Sequence, residues 1–190
     1  ELLLAVPENK QTNFKGNTVI LKFNEYIETS TLQQNLVISP TIKGTYEIKT
    51  SGKEVKLKFE NDFEPNTSYL LNFRNGIKDL TEKNPTNNLK YVFSTGSKID
   101  SLELNGTISD IHTKIPVLDA LVALYPHNDT IHNILKTKPK YFIKTDSLGK
   151  YKFENIKNDT YTLVTFTDKN ENLYFDQKTE KIGFKKSKIE

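Results

Sequence analysis

Apolar and polar residues alternate along most of this chain, and nowhere more strictly than at 54–60. Val55, Leu57 and Phe59 alternate there with Lys56, Lys58 and Glu60, so a strand over this segment buries one face and wets the other. The same pattern puts Val19, Leu21 and Phe23 on one face of a strand at 18–23, and Tyr69, Leu71 and Phe73 on one face of another. Shorter strands are expected at 36–40, ended by Pro40, at 46–50, closed by the turn signal Ser51-Gly52-Lys53, and at 91–95. Only 30–35 has the makings of a helical turn, because apolar residues recur at helical spacing nowhere else.

A joint follows at 91–106, where the strand ending at Thr95 gives way to a glycine, a short polar hinge and a new alternating run from Leu102. Beyond it Leu102, Leu104, Gly106 and Ile108 alternate. Residues 120–125 form an apolar run, short enough for a strand buried on both faces. The polar excursion 126–139 carries a candidate helical turn near 131–135, and strands resume at 141–145, at Tyr151 and Phe153 after the turn Asp146-Ser147-Leu148-Gly149, at 161–167 and at 182–184. About seven short strands over about 95 residues in the first half are the pattern of an immunoglobulin-like sandwich. The expected fold is all-β, two tandem β-sandwiches over residues 1–97 and 98–190, each folding independently in a monomeric chain.

Composition narrows the function classes. The 190 residues include 35% hydrophobic and 11% aromatic positions, so the cores are built from Phe, Tyr, Leu, Ile and Val, a mix that favours strands. Basic residues number 27 and acidic ones 24, and the lysines are spread along wet strand faces instead of clustering, which argues against nucleic acid as a partner. The chain has no cysteine, which excludes thiol catalysis, thiolate metal sites and disulfides together. No apolar run approaches the about 18 residues that span a bilayer. The abrupt start at Glu1-Leu2-Leu3-Leu4 is expected of a fragment whose targeting segment lies upstream.

One loop offers site chemistry. From Asp168, oxygen-bearing residues fall at positions 1, 3, 5 and 9, the spacing with which a short loop wraps a hard cation such as Ca²⁺. Asp168, Asn170, Asn172 and Asp176 would supply side-chain oxygens, Tyr174 a carbonyl and Glu180 a bidentate closure. Leu173 stands where an EF-hand has its turn glycine, and Glu180 comes one residue late. A polar hairpin rich in Asp and Asn, as turns favour, explains the same residues, and both readings stand open on the sequence. His112, His127 and His132 lack metal-ligand spacing. Neither a nucleophile elbow nor a phosphate loop occurs, so an enzyme is not expected.

Several segments carry resemblances. Pro7-Glu8-Asn9, Leu21-Lys22-Phe23-Asn24-Glu25-Tyr26-Ile27, Glu64-Pro65-Asn66-Thr67-Ser68-Tyr69, Gly76-Ile77-Lys78-Asp79 and Phe93-Ser94-Thr95-Gly96 resemble the bacterial Ig-like domain of surface-layer and lipoprotein architectures. The chain departs from that pattern at Glu82-Lys83-Asn84, where the family usually has Gly-Asn. Leu104-Asn105-Gly106-Thr107-Ile108, the segment 115–122, the segment 145–153 and the segment 156–163 resemble the carboxypeptidase regulatory-like, or transthyretin-like, sandwich. In this order the two are similar to the N-terminal part of Ig-like lipoproteins of Bacteroidetes, which implies an attachment cysteine upstream of Glu1. Asp100-Ser101-Leu102, Asp129-Thr130-Ile131 and Asp146-Ser147-Leu148 resemble O-glycosylation acceptors of the same bacteria, and equally ordinary turn chemistry.

The resemblances imply a non-catalytic cell-envelope module of an exported protein, anchored at the outer membrane, periplasmic or on the cell surface. It would serve as a rigid spacer or dock on an outer-membrane or cell-surface protein. A second reading is a glycan-binding adhesin that presents exposed tyrosines and the excursion 126–139.

Overall fold

Pairing of the alternating segments sets the architecture. The structure, a computed structural model that describes residues 1–86, 89–127 and 134–190, divides the chain into Glu1–Asp100 and Ser101–Glu190. It is nearly all β, with 42% of residues in strands.

The first unit runs through β1 (Leu2–Val6), β2 (Thr18–Phe23), β3 (Ile27–Glu28), the single helical turn α1 (Leu32–Asn35), β4 (Val37–Ser39), β5 (Tyr46–Ser51), β6 (Glu54–Phe59), β7 (Ser68–Asn72), β8 (Lys78–Asp79) and β9 (Lys90–Ser94). One sheet has the order β1-β2-β6-β5 and a second β4-β7-β9, with β3 and β8 as a separate ladder. In the first sheet Val19 lies opposite Leu57 and Leu21 opposite Val55, so the alternation read from sequence becomes one continuous apolar face. These side chains and Leu71 are fully buried, each worth about 1.5–3 kcal/mol relative to exposure. Between the sheets Phe14, Phe59, Phe63, Tyr69 and Phe93 interlock, with neighbouring ring centroids 4.7–6.1 Å apart.

The helical turn falls within the expected 30–35. Its Leu32 is fully buried, and a Cβ on Gly76 would come within 2.9 Å of the Leu32 Cα, so Gly76 is what lets the turn approach. β1 was not expected. Its run Leu-Leu-Leu-Ala-Val does not alternate, and Leu3 and Leu4 are 67% and 48% exposed on this outer strand. At the departure from the Ig-like pattern, Asp79 Oδ1 accepts the N–H groups of Thr81 and Glu82, and Lys83 takes the left-handed conformation at φ 63° that glycine or asparagine adopts with less strain.

The division after Asp100 lies beyond the expected boundary at 97. Asp100 is tied to β7, since its N–H donates to Ser68 Oγ at 2.8 Å and its carboxylate accepts that hydroxyl at 2.8 Å.

The second unit comprises β10 (Leu102–Thr107), β11 (Leu121–Pro126), β12 (Tyr141–Lys144), β13 (Lys150–Ile156), β14 (Tyr161–Phe166) and β15 (Ile182–Phe184). A four-stranded sheet of order β12-β11-β14-β15 is joined by the pair β10-β13. Val122, Leu124, Tyr141 and Leu163 on the inner face of the large sheet pack with Phe153 and Ile156 of β13. Leu121, Ala123, Tyr125, Val164 and Phe166 on its outer face are covered as well, by Phe175 with Leu173 and Ile134 at its margin. β11 is therefore buried on both faces, as its unbroken apolar run implied. Thr145 serves as a buried clamp, its hydroxyl donating to Val117 O at 2.6 Å and accepting Ala120 N–H at 2.9 Å.

Candidate functional site

The chain leaving β14 does not project as a hairpin tip. It folds back over the outer face of the sheet, and Phe175 meets Phe166 edge-on with centroids 5.9 Å apart. Glu171 and Leu173 take left-handed φ values of 58° and 66°, which turns the loop sharply enough to return. The return is fixed where Thr167 N–H donates to Lys181 O at 3.1 Å and Lys181 N–H to Thr167 Oγ1 at 3.0 Å.

Two carboxylates organise the loop from within. Asp168 is 7% exposed, and its Oδ1 and Oδ2 accept the N–H groups of Asn172 at 3.1 Å and Leu173 at 3.0 Å. Glu180 is 9% exposed, and its two oxygens accept the N–H groups of Lys169 at 2.9 Å and Asp176 at 3.0 Å. Together they satisfy four backbone donors that no strand partner could reach. Burial pushes the Asp168 carboxyl above its ordinary value, against the two N–H bonds that pull it down, and the nearby Glu180 charge adds to the rise.

The remaining candidates pair among themselves. Asp176 Oδ2 accepts the side-chain amides of Asn170 at 2.6 Å and Asn172 at 3.3 Å. Asn170 Oδ1 accepts Asn172 N–H at 3.2 Å, and Asn172 Oδ1 accepts Tyr174 N–H at 2.7 Å. The Tyr174 ring lies under Lys138 Nζ, 5.7 Å from its centroid. The structure thus brings all six sequence candidates, Asp168, Asn170, Asn172, Tyr174, Asp176 and Glu180, into one loop. It does not gather the three carboxylates: among the described residues no group of three or more His, Cys, Asp or Glu is placed to hold a metal ion. The donor set is chemically suited to a hard cation, but its oxygens are turned toward N–H groups.

The same chemistry recurs at other turns. Asp110 Oδ1 accepts the N–H groups of Thr113 and His112, which hold its carboxyl down at about 2, and Asp146 Oδ1 accepts those of Leu148 and Lys150. Asp168 is the buried member of this set. What the sequence reading missed was Phe175, whose role as the loop's anchor is invisible to a pattern of oxygen donors. The signal was the short apolar run Leu173-Tyr174-Phe175 inside an otherwise polar loop.

Elsewhere the candidates disperse. His127 Nδ1 lies 3.0 Å from Thr162 Oγ1, and His132 falls outside the described residues, as do Asp129-Thr130-Ile131 and much of the candidate turn at 131–135. Ser101 and Ser147 are both exposed. Of the nine tyrosines, Tyr26 alone is exposed, so the tyrosine platform of a glycan binder is reduced to one ring.

A model of the bacterial Ig-like domain matches residues 1–95. The chain belongs to this family. The matched stretch takes in the Ig-like unit from β1 through β9. Among curated proteins none matches the chain. Solved structures with similarity include an L,D-transpeptidase from Mycobacterium smegmatis, 11% identical at TM-score 0.38 over 77% of this chain and 73% of that one. The N-terminal part of the bacterial S-layer protein SbsC is 11% identical at TM-score 0.33, over 83% of this chain and 40% of its own. BcpA, the major pilin subunit of Bacillus cereus, is 12% identical at TM-score 0.30, over 96% of this chain and 64% of its own. At such values the likenesses carry no argument about what the Ig-like chain does. Among the described residues no helix is long and apolar enough to cross a membrane.

Proposed function

We propose that the chain is a non-catalytic module of the bacterial cell envelope, a rigid spacer or docking domain of an exported lipoprotein, with its second unit a carboxypeptidase regulatory-like sandwich. One observation carries the reading. The buried serines, threonines and carboxylates, Thr67, Ser68, Ser94, Thr145, Asp168 and Glu180, all make hydrogen bonds that hold the chain in place: to backbone groups, and for Ser68 to Asp100 as well. Of the buried hydroxyl oxygens left without a hydrogen-bond partner among the described residues, that of Tyr91 packs within the apolar core of the first unit and that of Thr165 sits within β14. A catalytic centre instead holds a polar group unspent and facing a cleft. The Ig-like family supports the compartment, and the order of the two resemblances supports the lipoprotein context.

Fractionation of the native bacterium tests the reading. The chain should be found with the outer membrane, and protease added to intact cells then separates a surface from a periplasmic position. Recovery in the cytosol would overturn it.

Calcium belongs to this proposal as a stabiliser of the loop 168–180. Asp168 and Glu180 are two nearly buried acids whose charges oppose each other, and a divalent cation would relieve that repulsion. To take calcium the loop must release the Asn170 and Asn172 amides from Asp176. Calcium should then raise the melting temperature of the second unit by mass action, and Asp168→Ala should abolish the response. Identical melting curves in millimolar calcium and in excess chelator would leave a polar hairpin alone.

A further inference from the structure

Among the described residues, the last strand of the second unit is open on one side. β15 lies at the end of its sheet and, among the described residues, pairs only with β14, with Phe184 opposite Val164 and Ile182 opposite Phe166. Lys185 N–H donates to Leu163 O at 3.2 Å and Lys181 O accepts Thr167 N–H at 3.1 Å, so the residues at 181, 183 and 185 direct their backbone groups inward. By the alternation of an antiparallel ladder, the N–H and C=O groups of Ile182 and Phe184 face outward. The same two side chains are exposed, Phe184 to 75% and Ile182 to 44%, and with Val164 they line a groove of about 460 Å³. Lys185, Lys186 and Lys188 border it, and none of them forms an ion pair among the described residues.

From this arrangement we infer that the edge of β15 is a docking site for an acidic, extended segment of a partner protein, which adds to the sheet as a further strand. Backbone pairing would satisfy the outward groups, alternate apolar side chains of the segment would lie over Phe184 and Ile182, and its carboxylates would meet the lysines. Charge complementarity chooses this occupant. A second copy of the chain would bring its own lysines against these, the arrangement by which natural edges repel one another. A lipid surface would leave the outward N–H and C=O groups without partners. The inference rests on the docking half of the proposed function and names its surface.

The test uses the full chain and a synthetic peptide in which glutamate alternates with valine, followed by amide NMR. Shifts centred on Ile182 and Phe184, with weakening as salt is raised, are expected. Lys185→Glu/Lys186→Glu/Lys188→Glu should weaken binding by about tenfold or more. A peptide with proline at alternate positions should not bind, because it lacks the donors of a strand. Phe184→Ser, at an exposed position, should fold normally and still lose affinity. Equal binding of a lysine-valine peptide, or shifts confined elsewhere, would overturn the inference. So would self-association through this edge in sedimentation, or binding of phosphatidylglycerol vesicles in place of the peptide. Such a failure removes this surface and leaves the envelope reading to fractionation, which tests it separately.

Discussion

Phe175→Ala should release the loop 168–180 from the sheet. The ring is 9% exposed and packs edge-on against Phe166. Truncating a buried phenylalanine costs about 3–5 kcal/mol, and a site at the margin of a core falls at the lower end. The four N–H bonds to the Asp168 and Glu180 carboxylates are each worth about 1.5–3 kcal/mol, and they compete with water once the loop loosens. The ring therefore matches the strongest of these bonds in holding the loop down, and unlike them it has no substitute in water. A loss of about 3 kcal/mol corresponds to a roughly hundredfold rise in local opening. Amide hydrogen exchange reads this directly. Lys169, Asn172, Leu173 and Asp176, whose N–H groups go to the two carboxylates, should exchange about a hundredfold faster. Those of β11, paired on both sides by β12 and β14, should keep most of their protection. Unchanged exchange in the loop would refute the anchoring role, and a uniform increase across β11 and β14 would show that the loop is no separable element.

Other expectations follow from single positions. Gly149→Ala should cost about 3 kcal/mol in denaturant unfolding, because its φ of 69° adds strain and the new Cβ would collide with Ile108 O. Gly52→Ala, at φ 60° with only the Tyr26 ring at 3.4 Å, should cost about 1 kcal/mol, and equal losses would refute the clash. Tyr91→Phe removes a buried hydroxyl that has no partner among the described residues, so the first unit should be unchanged or stabilised by about 1 kcal/mol. A clear loss in chemical denaturation would contradict that. Because burial raises the Asp168 carboxyl above its ordinary 3.8, the folded chain holds a proton the unfolded chain has released. The group's contribution is then most favourable at low pH and diminishes as pH rises through the folded value. Melting of Asp168→Asn against the parent should move in the variant's favour as pH rises from 3.8, and a pH-independent difference would show that Asp168 does not titrate this way.

Strand content was legible where the period was clean. Val19, Leu21, Val55 and Leu57 alternate because one face of their sheet meets a core and the other meets water, so burial writes itself into every second residue. β11 was legible for the opposite reason, since covering both faces removes alternation altogether. β1 was hidden because an outer strand with exposed leucines obeys neither pattern. The loop was legible as chemistry and illegible as geometry. Its Asp and Asn spacing is shared by cation loops and by chains of side-chain-capped turns, and only the direction of the N–H groups separates them. Phe175 marks the limit, because which residue of the run Leu173-Tyr174-Phe175 turns inward depends on where the sheet lies.

The claim that the chain is a rigid spacer is tested most directly by distance. The chain has no native cysteine, so a spin label can be placed at a single chosen position in each unit, at the exposed Lys49 and the exposed Lys157. Pulsed electron resonance on the frozen double-labelled chain should return one narrow distance distribution. A broad distribution, of the width a flexible linker allows between two freely moving units, would contradict the claim of a rigid spacer.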